Sequence, residues 1–312
     1  MFTMGMVGNK IAYKALENYL KGFVPLVLTA VGLSLASKMR FWNIGGEGQL
    51  IMGGVFASWF ALFCTDWPHP LLLAVMFVAG AIGGGLWGLL PAVFKSRWNT
   101  NETLFTLMLN YIALHIVSWL QSGPWRDEGA NGFNKIARFD KNAGLDKVLG
   151  VHFGWIIMLV LVVLVWVYLK YTKQGYEISV VGESQDTARY AGIHVKKVVL
   201  RTLFLSGAIA GIAGVCQVGG SDMTLSMGVA GGVGFTAIIV AWLCQLNPGM
   251  ILVVSFLFGV LEKGSGVVQS EFGLSADSAD VLQGVILFFI LASEFFVRYG
   301  FALRKKQPKG GK

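Results

Sequence analysis

Side chains able to make or break covalent bonds are thinly spread along this chain of 312 residues. Its four histidines, His69, His115, His152 and His194, stand far apart, so no H-E-x-x-H pair or clustered metal site supports hydrolytic chemistry. Cys64, Cys216 and Cys244 each lie in or beside an apolar run, and their spacing suits neither a disulfide framework nor a zinc site. Lys263, Gly264 and Ser265 come in the wrong order for a phosphate-binding loop and lack its leading glycine. Any ATP hydrolysis linked to this chain therefore belongs to another one, and neither a metal nor a cofactor is expected here.

What remains is noncovalent chemistry by polar groups in unusual places. Asn43, Glu47 and Gln49 are interleaved with Gly45, Gly46 and Gly48 between two apolar runs. Three near-adjacent glycines, each costing about 1 kcal/mol in a helix relative to alanine, predict a break there. Backbone groups freed at a break need polar partners or a water-lined cavity, and the three side chains can supply either. A carboxylate held there must face water, a nest of backbone amides or a partner subunit. The second half repeats the arrangement with Gly219, Gly220, Gly228, Gly231, Gly232 and Gly234, and Asp222 sits in that stretch. Paired glycine-interrupted segments in corresponding halves point to a solute path. Asn110 and His115 lie in the middle of the apolar run 103–120, so each must face a helix interface or a cavity; an interhelical hydrogen bond is expected for His115. The expected solute-path residues are Asn43, Glu47, Gln49, Asn110 and Asp222.

The elements that position these groups follow from composition. Hydrophobic residues make up 55% of the chain and charged residues only 13%, about half the charge of an ordinary soluble domain, so hydrocarbon surrounds most of it. Nine apolar segments can be marked: 20–39, 50–63, 71–94, 103–120, 153–169, 202–218, 235–246, 250–268 and 281–297. Most can span a bilayer, whereas 50–63 and 235–246 are too short to do so alone. The runs are continuous rather than alternating, which excludes a barrel, and the expected fold is all-α: a polytopic transmembrane helical bundle with broken helices, one domain over 1–312. Gly84 and Gly88, like Gly207 and Gly211, have the small-xxx-small spacing of close helix packing. Glu102, after Asn99 and Thr100, is expected to cap a helix start, and Glu294 to pair with Arg298.

Orientation follows from lysine and arginine. With the C-terminal tail 298–312 cytoplasmic, sixteen basic residues fall inside, and only the 121–152 connection carries basic residues outside, five of them. The net charge of +8 is explained by this bias and requires no nucleic acid. Nine crossings then leave the N-terminus outside although 1–22 holds three lysines, so a further membrane helix ahead of Met1 is expected. The 170–201 loop is cytoplasmic and too polar for a simple turn. Ser184 can cap a short helix there, Asp186 and Arg189 complement its two ends, and Gly192 can terminate it.

Three stretches carry a resemblance: Phe41 to Gln49, Asn101-Glu102-Thr103 with Leu107 to Ala113, and Gly175-Tyr176-Glu177 with Ala188 to Ile193. In that order they resemble the permease subunits of bacterial ABC importers in the branched-chain amino acid, simple sugar and nucleoside group. The nucleoside-type permeases that work with a basic-membrane-protein lipoprotein are the most similar. The chain departs from relatives at 234–237, where many carry an acidic residue after the phenylalanine. The resemblance implies about ten helices and a plasma-membrane location. It also implies a second homologous permease, two ATP-binding subunits and an extracytoplasmic solute-binding lipoprotein. Ser184, Asp186, Arg189 and Tyr190 would then form the coupling helix that grips the ATPase. Nucleosides are the expected solute, since amide and carboxylate groups beside Trp42 and Phe41 suit a ribose and a stacked base; simple sugars and branched-chain amino acids are alternatives. A stand-alone secondary transporter or channel would explain the broken helices but not the capped polar helix, and an intramembrane enzyme would need a paired His and acid constellation.

Overall fold

A computed structural model describes residues 10–127, 129, 132, 134–148 and 151–272, with 281, 284, 285, 288, 289, 292 and 293. The expected apolar segment 281–297 is described only at those scattered positions. The Glu294–Arg298 pair, the 298–312 tail and the extreme N-terminus lie outside the described residues. The chain divides into two units, Met1–Val260 and Leu261–Lys312, and the first of them holds the packed bundle. Among the described residues ten α-helices run in order: α1 (Lys10–Lys38), α2 (Gly46–Phe63), α3 (His69–Trp98), α4 (Glu102–Ser122), α5 (Gly154–Tyr171), α6 (Lys173–Glu183), α7 (Gln185–Tyr190), α8 (Val195–Val215), α9 (Val233–Leu243) and α10 (Pro248–Phe272). Five helices, at Tyr19–Lys38, His69–Trp98, Glu102–Ser122, Gly154–Tyr171 and Val195–Asp222, are long and apolar enough to cross a membrane. The chain is thus the multi-pass helical bundle that its composition demands.

Helices α1, α2, α3 and α8 form the core, with α9 against α1 and α2. The α3–α8 contact is a seam of glycines. A Cβ on Gly84 would meet the Gly207 carbonyl and come to 2.7 Å from the Gly211 Cα, and one on Gly88 would lie 2.6 Å from the Leu203 carbonyl. Gly53 of α2 meets the Gly211 backbone in the same way. Backbones this close gain dispersion that side chains would prevent, the role that small residues play between membrane helices. Helices α4 and α5 lie at the periphery and expose Leu104, Met108 and Ile112, and Val160, Val163 and Leu164. Apolar residues on an outward face are what lipid-facing helices carry.

Several boundaries differ from the sequence expectation. The span expected at 202–218 begins at Val195 and ends in a π-helical turn, Cys216–Asp222, closed by Met223 at φ +54°. Two helices, α6 and α7, fill the 170–201 connection, where only the second was foreseen. The 123–153 connection carries a two-residue hairpin, β1 (Lys147–Val148) with β2 (Val151–His152). At the start of α4 the cap is Asn101, whose side chain accepts the Leu104 N–H; Glu102 instead pairs with Lys95 of α3 at 2.9 Å. His115 is exposed on α4, so the expected interhelical bond is not made within the described residues.

Candidate functional site

The break after α1 lies one step earlier than the glycines alone imply. Residues 39–45 are non-helical, and Gly46, Glu47, Gly48 and Gln49 already form the first turn of α2. Arg40, at φ +56°, reverses the chain. Asn43 Oδ1 then accepts the Gly45 N–H at 2.9 Å, and its amide pairs both ways with that of Gln49 at 3.3 and 3.4 Å. From α4, Asn110 Oδ1 accepts the Gly48 N–H and its Nδ2 donates to the Ile44 carbonyl, both at 2.9 Å. Thr106, one turn earlier, accepts the Ile44 N–H at 3.2 Å. Side chains thus satisfy the first-turn amide of Gly48 and the Ile44 and Gly45 amides just before α2.

Glu47 ties the cluster to the other half of the chain. Its Oε1 accepts the Gly232 N–H at 2.9 Å and its Oε2 the Gly234 N–H at 2.6 Å. These amides open α9, so the carboxylate sits on the positive end of that helix, where a helix favours an anion. Gly232 adopts φ +82°, a left-handed turn that aims both amides at one carboxylate. At Gly234 a Cβ would stand 2.6 Å from the Glu47 Cα, so α9 and α2 meet at backbone distance. Asn43, Glu47, Gln49 and Asn110 are 4%, 5%, 1% and 2% exposed, and their polar atoms face one another and the backbone. Nothing in the sequence singles out Thr106, although it stands one turn from Asn110; Gly232 and Gly234 supply the nest of backbone amides that was one of three surroundings expected for Glu47.

Asp222 lies apart from this group. It ends the π-helical turn, accepts from Gln217 Nε2 at 3.2 Å, and lines a cavity of about 300 Å³ with Gln121, Lys135, Arg138, Thr224 and Ser226. The 123–153 connection closes over this end of the bundle: Asn142 donates to the carbonyls of Thr65 and Trp67, and Asp146 meets His69 at 3.0 Å. The aromatics expected beside the amides are otherwise engaged. Phe41 is buried in the core, and Trp42 stacks on Trp242 of α9 with centroids 4.8 Å apart.

At the opposite end stands α7. Ser184 Oγ accepts the Thr187 N–H at 3.2 Å, Asp186 and Arg189 pair at 2.9 Å, and Gly192 at φ +75° ends the helix while the Ile193 N–H returns to the Ala188 carbonyl. Ala188 faces inward, whereas Arg189 is exposed and Tyr190 is 94% exposed. Helix α6 supports it: Gly182 packs on the Lys38 carbonyl, and Glu177 pairs with Arg201 of α8 at 3.1 Å. Basic residues from 39–41, 95–99 and 185–199 converge on this one end.

Comparison with known proteins agrees with the bundle. Residues 15–291 match the family described as "Branched-chain amino acid transport system / permease component". A glucose ABC transporter permease protein of Haloferax volcanii is 32% identical, the alignment covering 88% of this chain and 76% of that one. A guanosine ABC transporter permease protein of Bacillus subtilis is 29% identical over 93% and 84% of the two chains, and a nucleoside ABC transporter permease protein of Lactococcus lactis subsp. cremoris is 31% identical over 85% and 76%. The structure described as an inward-facing conformation of a metal-chelate type ABC transporter shares the fold at a TM-score of 0.51 and 14% identity, over 95% of this chain and 91% of that one. With a multi-pass bundle and a family match across most of its length, the chain is a transporter subunit rather than an enzyme, and it belongs to the permease components of ABC transport systems of the branched-chain amino acid type.

Proposed function

We propose that this permease imports nucleosides by alternating access, with α7 as the helix that receives the stroke of the ATPase. Family membership implies ATP-binding subunits and a substrate-binding protein. The observation that carries the coupling role is α7 itself: a capped two-turn helix with an exposed tyrosine and arginine, standing on the end where the basic connections gather. Positive charge on that end favours a cytoplasmic side for it and for the C-terminus. The opposite end, with Asp222 and its cavity, then receives solute from an extracytoplasmic lipoprotein, and a second permease completes the path.

In this reading Asn43, Glu47, Gln49 and Asn110 shape the solute path without gripping the solute, because their polar atoms are already used on backbone and on one another. They hold the starts of α2 and α9 as two short helices meeting inside the bundle, and Asp222 is the group of this set that lines an open cavity. Nucleosides are favoured over sugars because, of the three relatives described above, two are named for guanosine or nucleosides. The test is uptake by proteoliposomes holding the assembled transporter and its lipoprotein. Labelled guanosine accumulates with ATP and unlabelled nucleosides compete, while glucose does not; the reverse order of competition refutes nucleoside specificity.

A further inference from the structure

The basic end encloses a cavity of about 750 Å³, walled by the α1–α2 connection, the end of α3, the start of α4, α7 and the start of α8. Six cations line it: Arg40, Lys95, Arg97, Arg189, Lys196 and Lys197. Glu102 is the one carboxylate among the lining residues, and Lys95 holds it at 2.9 Å. Arg189 is offset by Asp186. Arg40, Lys196 and Lys197 have no partner among the described residues, and Arg97 has only the face of Trp98. Helix α8 opens on the same space without a side-chain cap, so its first-turn amides add to the positive field. Met39, Phe41 and Val199 add apolar lining.

Arg40, Arg97, Lys196 and Lys197 are exposed, so solvent and salt screen part of their mutual repulsion, and an anion shared among them would relieve the rest. We infer that this cavity binds a phosphate ester, carried either by the headgroup of an anionic phospholipid or by a soluble phosphorylated metabolite. A basic pocket between membrane helices with some apolar lining matches the first source. A solute importer whose product is phosphorylated in the cell would meet the second at the same face. Occupancy there bridges α1, α3 and α8 beside the helix proposed to couple to the ATPase, so it would set how freely that end moves. The inference rests on the permease reading for its membrane setting, and its soluble source rests also on this end being cytoplasmic.

The test uses the assembled transporter in nanodiscs, which leave both faces accessible. In one arm the nanodiscs contain phosphatidylglycerol, and native mass spectrometry counts lipid retained after delipidation. In the other they contain phosphatidylcholine alone, and ribose 5-phosphate is titrated. Saturable retention or binding in either arm, weakened about thirty-fold by Lys196→Gln with Lys197→Gln, supports the site and identifies its source. Arg97→Gln, at a separate wall, should weaken it as well. Binding in neither arm, or binding unchanged in both variants, overturns the inference. Release of the ATPase by the lysine pair also overturns it, since the cations would then be a protein seat. Failure of guanosine uptake by the unaltered transporter bears on the solute and leaves this result untouched.

Discussion

Replacing Glu47 by glutamine separates a structural clamp from a solute contact. The wild-type carboxylate accepts two backbone N–H groups at 2.9 and 2.6 Å. Glutamine keeps one acceptor oxygen and turns an NH2 group toward the other amide. One charge-assisted bond, worth about 1.5–3 kcal/mol, is lost, and the survivor is weakened by about half. The favourable placement of charge at the α9 start, up to about 2 kcal/mol, goes with them. Cheaper burial of a neutral amide offsets part of this, leaving a net destabilisation of about 3 kcal/mol. For a chain of this size that lowers the melting temperature by roughly 5 °C. Glu47→Asp keeps the charge but reaches only one amide, so its effect should be about half as large. Melting of the purified subunit is followed alongside guanosine KM and maximal uptake. The clamp predicts a lower melting temperature and lower maximal uptake with KM within about twofold. Unchanged melting with a raised KM would refute it and make Glu47 a solute ligand.

Gly211→Ala drives a methyl group into the Gly80 carbonyl across the α3–α8 seam, an overpacking cost of about 1–3 kcal/mol. It should appear as a lowered melting temperature, and wild-type stability would show that the helices can part freely. Arg189→Glu reverses charge on the exposed face of α7 and should strip the ATPase from the purified complex, with solute binding to the lipoprotein unaffected. A complex that survives intact would remove α7 from the coupling role. In a cysteine-free background, a cysteine at Lys135 should react in intact cells with an impermeant thiol reagent, and one at Gln185 should not; the opposite pattern inverts the topology.

The bundle was legible because hydrocarbon demands continuous apolar runs, and lysine and arginine mark the connections. The break near Gly45 was legible from its glycines, and so was the α7 cap, since Ser184, Asp186, Arg189 and Gly192 lie within nine residues. Position inside those features was less so. Glu47 carries no local sign that its partners are 185 and 187 residues away, because a backbone amide has no letter of its own. The cap of α4 was misplaced for a simpler reason: Asn99, Thr100 and Asn101 can each accept a first-turn amide, and sequence does not say which is extended. His115 illustrates a third limit. A polar residue in a span predicts a partner, but not that the partner belongs to the same chain.

The glycine seam also has a mechanical meaning. Helices that touch through their backbones at Gly53, Gly84, Gly88, Gly207 and Gly211 have little room there to slide by swapping rotamers, and the Phe56, Phe204 and Val215 side chains fill the neighbouring glycine positions Gly83, Gly85 and Gly80. Helices α2, α3 and α8 therefore behave as one girder. Only residues 191–194 separate α7 from α8, so, on the proposed coupling role, a stroke delivered at α7 would reach the girder almost directly. Compliance has to lie where regular backbone ends, at 39–45 and 223–232, and Glu47 ties the second of these to the girder. On the proposed alternating access, such a frame would rotate about these two short joints rather than bend its spans.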